Sequence, residues 1–163
     1  MKKIIFIGVL LFVISIHGQS KVTRNLGDYT ILKVYNGIEV ELIKSTENKL
    51  EITGEKSEIV KVKTVNNTLK LSLPFSLKPS DNAAEGEVFI QLFYKDTLTL
   101  IDANQGATIT AKDFQQDEVE ISAQERAYIN LVLKSKNIIV KAISGGIVKL
   151  TGTADNQDVD VDL

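Results

Sequence analysis

This sequence predicts an all-β fold: antiparallel β-hairpins first, then stacked coils in the C-terminal half. Three observations carry the prediction. Nearly every patterned segment alternates apolar and polar residues with period two, the strand signature. No stretch longer than a turn or two has the periodicity of a helix. Leu98, Val119, Val140 and Val161 recur every 21 residues, and Leu100, Ile121, Ala142 and Leu163 repeat with the same step. A period in that range marks an architecture in which each repeat buries its apolar face against its neighbours.

The elements follow in order. Ile38, Val40 and Leu42 share one face of a strand, with Glu39 and Glu41 on the other. A polar turn at 44–48 leads to Leu50 and Ile52. Val60 and Val62, then Leu69, Leu71 and Leu73, form a hairpin over 58–73. Its turn is Asn66-Asn67, because asparagine tolerates the left-handed backbone of a tight turn. Two prolines and Ser80-Asp81-Asn82 make 74–86 a loop, the best candidate for a mobile region. Residues 88–94 are apolar on both faces, as in a strand covered on both sides, and are expected between the hairpins and the repeats.

From Leu98 each repeat reads as a strand, a small-residue corner and a second strand. Corners fall at Asp102–Gly106, near Gln124–Arg126 and at Ser144-Gly145-Gly146. The second strands align through Ile109, Ile129 and Leu150, and Asp113, Asn137 and Asp155-Asn156 punctuate the opposite corner. The rival arrangement is a chain of antiparallel hairpins, with 138–143 folded onto 147–152. Recurrence of both strands and both corners together favours the stack.

The N-terminus reads as an export signal over residues 1–18. Lys2 and Lys3 precede the apolar run Ile4–Ile16, and Gly18 permits cleavage before Gln19. The rival is an uncleaved anchor, but the run is short of the ~20 residues a spanning helix needs. Nothing later is apolar enough for a second span. Residues 19–34 form a lead-in, and 35–163 form one β domain, divided into a hairpin part (35–94) and repeat coils (95–163).

Without Lys2 and Lys3 the 19 basic residues fall to 17 against 21 acidic ones, a net charge of −4. Such a chain lacks the clustered cations that bind nucleic acid. The single histidine, His17, lies in the signal, and there is no cysteine or tryptophan. Ser-His and Cys-His nucleophiles and His- or Cys-based zinc sites are therefore excluded after residue 18. No catalytic, cofactor-binding or metal-ligating residue is assigned.

Each remaining constellation has an ordinary explanation. Glu120, Lys141 and Asp162, again 21 apart, read as an ion ladder between coils rather than a ligand strip. Glu118 and Glu120 share a strand face at about 6.8 Å. A glycosidase pair would need a cleft between its carboxylates and one of them buried. Asp158, Asp160 and Asp162 have the spacing of a strand rather than of a Ca²⁺ loop. Asn66-Asn67-Thr68 matches a glycosylation sequon that the hairpin turn already explains. Ser144-Gly145-Gly146 has no following helix to make it a phosphate cradle. Tyr29, Tyr35, Phe93, Tyr94 and Tyr128 could stack on sugars if exposed. Tyr128, out of phase with Ala127 and Ile129, is the one expected to project into solvent.

Several segments resemble a known family. They are Tyr35-Asn36-Gly37-Ile38-Glu39-Val40, Leu50-Glu51-Ile52-Thr53-Gly54, Asn66-Asn67-Thr68-Leu69-Lys70-Leu71 and the run from Ala142 through Ser144-Gly145-Gly146 to Gly152. Over Tyr35–Leu163 the chain resembles the exported bacterial domains described as "putative auto-transporter adhesin, head GIN domain". The resemblance implies an all-β fold with right-handed β-helix-like coils and export, and it brings no catalytic residues. Such domains usually run through further coils, whereas this sequence stops inside a strand. Val159, Val161 and Leu163 are expected inward there, with Asp158, Asp160 and Asp162 outward. Three readings of that stop stay open: an incomplete record, acidic repulsion guarding the edge, or a second copy docked on it.

The expected function is an exported, non-enzymatic envelope or surface protein, in the periplasm, on the outer surface or secreted. Its β-helical face would bind a glycan or another envelope ligand. The alternatives are a self-assembling structural element, joined through the C-terminal coil edge, and an envelope polysaccharide enzyme.

Overall fold

The computed structural model describes residues 21–76, 84 and 86–162. The proposed signal at 1–18 and most of the 74–86 loop lie outside them. The described chain is all-β apart from one 3₁₀ turn, Ser57–Ile59. Its strands are β1 (Val22–Asn25), β2 (Ile31–Val34), β3 (Glu39–Lys44), β4 (Lys49–Thr53), β5 (Lys61–Val65), β6 (Thr68–Ser72) and β7 (Phe89–Tyr94). They continue as β8 (Leu100–Ala103), β9 (Thr108–Gln124), β10 (Tyr128–Ile143) and β11 (Ile147–Asp162).

One curled, mixed sheet contains them all, and it has two arms. β9, β10 and β11 run parallel through both arms. The first half of β9 pairs with β3, which extends the first arm as β3-β7-β4-β1. The second half pairs with β8, which extends the second arm as β8-β2-β6-β5. Alternate residues of both arms meet in one core. In the first arm Ile52, Ile90, Val40, Ile109 and Ile129 form a column across five strands. In the second, Leu69, Leu32, Ile101, Ile121 and Val140 do the same. All ten are buried.

A ladder of tight turns joins the arms. Asn36-Gly37, Gln105-Gly106, Glu125-Arg126 and Ser144-Gly145 each place two successive residues in the left-handed region. In every turn the fourth residue's N–H donates to the first residue's carbonyl, as Ala127 does to Gln124 at 3.0 Å. The turns also bond level to level: Gly37 N–H to the Gln105 carbonyl at 2.9 Å, and Gly106 N–H to the Glu125 carbonyl at 3.0 Å. The stacked reading of the C-terminal half therefore holds, and the hairpin rival does not.

The step, however, is not 21. Ile101 pairs with Ile121 and Ile109 with Ile129, a step of 20. Val140 pairs with Ile121 and Val159, a step of 19. The change comes at a bulge between Leu131 and Leu133, where β9 carries one extra residue. Val119, Val140 and Val161 are each displaced by two residues from true register. A two-residue slip preserves the face of a strand, so the wrong period still sorted these three onto one side. From β8 to β9 the 21-step is off by one: Leu100 pairs with Glu120, and Ile101, not Leu100, shares the core face with Ile121. The second strands do not end at Asp113, Asn137 or Asp155-Asn156 but run on into the next first strand.

The hairpin part is also revised. β5 and β6 form the expected hairpin, with Asn66 and Asn67 both at positive φ. β3 and β4 do not pair with each other. β7 lies between them, parallel to β3 and antiparallel to β4. It is a sheet member, not a covered layer: Val88, Ile90, Leu92 and Tyr94 are buried while Phe89 is exposed.

Candidate binding face

The alternation that buries Val40, Ile90 and Ile109 turns their neighbours outward. Two rows of side chains result on the outer face of the first arm. One row runs Thr53, Phe89, Glu39, Thr108, Tyr128. The next runs Glu51, Gln91, Glu41, Thr110, Asn130, Lys149. Phe89 is 43% exposed and Tyr128 half-buried. Three strand spacings separate the two rings, about 14 Å. Around Phe89 lies a shallow depression of about 300 Å³, lined by Glu39, Glu41, Glu51, Gln91, Thr53, Thr108 and Thr110 among others, while Tyr128 stands one strand beyond it.

The polar row is held in place. Lys112 Nζ donates to Glu41 Oε1 at 2.9 Å and Gln91 Nε2 to Glu41 Oε2 at 3.4 Å. Lys21 pairs with Glu51 at 2.7 Å. The Lys112 and Gln91 hydrogen bonds hold the Glu41 carboxyl below its ordinary pKa, and the Lys21 hydrogen bond does the same for Glu51. Both carboxylates are therefore ionised near neutrality and suit accepting hydrogen bonds rather than donating a proton.

The other predicted residues are dispersed. Glu118 and Glu120 sit on the outer face of the second arm, where Asn137 donates to Glu118 at 3.2 Å and Lys141 to Glu120 at 2.7 Å. The ion ladder is thus half present. Lys141 pairs with Glu120, but its register partner on β11 is Asp160, not Asp162. The Glu120 hydrogen bond raises the Lys141 pKa, aided by Glu120's charge and those of Asp160 and Asp158. Asp158, Asp160 and Asp162 line one strand face without converging, and no cluster of three acids or more among the described residues could hold a metal.

Of the aromatic candidates, Tyr29 and Tyr94 are core residues, and burial pushes the Tyr94 hydroxyl up to about 12. Lys70 lies 4.3 Å from the centre of the Tyr35 ring and Lys49 4.7 Å from that of Phe93, so cations cover both faces. Tyr128 projects outward as expected. Phe89 was missed, because its strand read as apolar on both sides. The signal was the burial phase of Val88, Ile90 and Leu92, which forces the residue between them into solvent.

Comparison with known proteins settles the lineage. The chain belongs to the family described as "putative auto-transporter adhesin, head GIN domain". The match covers residues 28–163. Among solved structures, the fold is similar to a putative adhesin from Bacteroides fragilis at TM-score 0.75 and 18% identity, covering 86% of this chain and 66% of that one. A putative adhesin from Parabacteroides merdae matches at TM-score 0.67 and 15% identity, covering 90% of this chain and 70% of that one. A protein titled a putative lipid-binding protein, from Parabacteroides distasonis, matches at TM-score 0.61 and 12% identity, covering 90% and 74%. This head GIN domain chain thus spans about two thirds of the length of the first of these. No curated protein matches its sequence.

Proposed function

We propose that this head GIN domain protein is an exported, non-enzymatic binding module of the cell envelope. The ligand is an extended glycan laid across the outer face of the first arm. The observation that carries the reading is the pair of outward rings, Phe89 and Tyr128, standing in one row beside a fixed polar row. Aromatic faces about 14 Å apart suit two non-adjacent sugar rings of an extended linear polymer, with the intervening rings over the strands between them. Ionised Glu41 and Glu51, with Gln91, Thr110 and Asn130, supply the hydrogen-bonding edge such a polymer needs. The export-signal pattern at 1–18 and the family description support an envelope location. The paired corners support a β-helix-like coil, with the right-handed winding the family resemblance implies.

The test is a glycan array followed by titration calorimetry on the strongest binder. Phe89→Ala and Tyr128→Ala should each weaken binding about two- to tenfold. Their effects should add, because sites this far apart rarely couple. Binding indifferent to both substitutions, or no binding to any envelope polymer, refutes the reading.

A further inference from the structure

Three rings of this chain already hold an ammonium group. Lys49 Nζ lies 4.7 Å from the centre of the Phe93 ring, Lys70 Nζ 4.3 Å from that of Tyr35 and Lys44 Nζ 5.0 Å from that of Tyr94. Lys49 is the fullest case, because its Nζ is also 3.5 Å from a carboxylate oxygen of Glu47 and 3.5 Å from one of Glu51. The ring face and the carboxylates attract the same charge. The outer row of the first arm repeats the ring and the carboxylate without a lysine. Register sets Glu39 on β3 directly beside Phe89 on β7, one strand spacing away, about 4.8 Å. Phe89 is exposed and Glu39 half-buried. Among the described residues no lysine or arginine lies over the Phe89 ring, and Glu39 makes no ion pair. The other two carboxylates of the depression are engaged, Glu41 by Lys112 and Gln91 and Glu51 by Lys21 and Lys49. The uncompensated charge there is that of Glu39.

We propose that the ligand supplies the ammonium: the polymer laid across the first arm is built of amino sugars with free amines, and Glu39 is the residue that selects it. The inference rests on the glycan reading above and adds the substrate class. A sugar ring stacked on Phe89 brings its amine to the neighbouring carboxylate, since one strand spacing is comparable to the width of a sugar ring. Acetylation of that amine removes its charge, and with it both the attraction to the ring face and the pairing with Glu39. A polymer of acidic sugars would set a carboxylate beside Glu39 and be repelled, so the same residue selects for one class and against another.

Titration calorimetry with two hexamers of one backbone tests it, a glucosamine hexamer and its fully N-acetylated counterpart. The amine form should bind about five- to tenfold tighter, the size of one exposed ring contact and one exposed ion pair together. That preference should shrink with added salt. Glu39→Gln should cut it to less than about twofold, whereas Glu118→Gln on the other arm should keep it. Thermal melts of both variants check that they fold. Equal binding of the two hexamers, or tighter binding of the acetylated one, overturns the inference and leaves the glycan-binding face standing. So does binding of another envelope polymer but neither hexamer. A preference that survives Glu39→Gln, or is lost with Glu118→Gln, also overturns it. Hexalysine bound as tightly as the glucosamine hexamer does the same, since charge without a sugar would then suffice. Binding of no envelope polymer at all overturns the glycan reading itself.

Discussion

Two adjacent glycines in the last corner are required for different physical reasons, and substitution separates them. Gly145 has φ +77, a conformation that costs an ordinary L-residue about 1–2 kcal/mol. A side chain there has room, since the nearest atom to an added Cβ is the flexible Arg126 Cγ at 3.6 Å. Asparagine tolerates that backbone, so Gly145→Asn should be near neutral. Gly146 has the opposite problem: an added Cβ would press into the carbonyl of Ala123. Relief requires moving the corner away from β9. That disturbs the bonds from Gly146 N–H to the Ile143 carbonyl and from Ile147 N–H to the Ala127 carbonyl, both 2.9 Å. Forced overpacking of this kind costs about 3 kcal/mol. For a chain of this size that lowers the melting temperature by about 6–12 °C. Differential scanning calorimetry should therefore show Gly146→Ala far below the parent and Gly145→Asn within about 2 °C of it. Equal losses at the two positions would refute the close approach of the corner to β9.

Three further outcomes are expected. Glu125 and Arg126 hold φ 53 and 64 without glycine or asparagine, so Glu125→Asn with Arg126→Gly should raise stability by about 1 kcal/mol in urea denaturation; a loss would show that the side chains matter more than the turn. Ile121 is 0% exposed between Ile101 and Val140, and Ile121→Ala should cost about 3 kcal/mol by the same assay; a cost below about 1 kcal/mol would contradict a packed column. Burial, with the nearby charge of Asp96, raises the Tyr29 hydroxyl pKa above the ordinary 10, so the folded state holds that proton more tightly than the unfolded chain. Its contribution is complete below pH 10 and lost as pH rises further, and Tyr29→Phe should flatten that alkaline decline in thermal melts; an unchanged slope would assign the decline to other groups.

Strand character was legible because alternation is a local property: burying Val40 and Leu42 requires exposing Glu39 and Glu41 whatever lies alongside. The Asn66-Asn67 turn was legible for the same reason, since its backbone demand falls on the residues that make it. Tyr128's outward direction followed from its phase against Ala127 and Ile129. Sequence reading failed where the answer depended on a neighbour far along the chain. A short polar turn joins β3 and β4, yet β7, some 45 residues on from β3, takes the place between them, and nothing in the local pattern marks that insertion. Phe89 was lost to the same ambiguity.

The sequence alone thus determined that this chain would be built of strands, which side of most strands would be buried, and where the tight corners would fall. Those follow from side-chain period and from the few residues that accept a left-handed backbone. The tertiary structure alone decided which strands became neighbours, a step of 19 or 20 rather than 21, and the row that gathers Phe89 and Glu39 with Tyr128. A period-two pattern looks the same after a slip of two residues, so only packing of the core columns and the single extra residue in β9 could choose among registers.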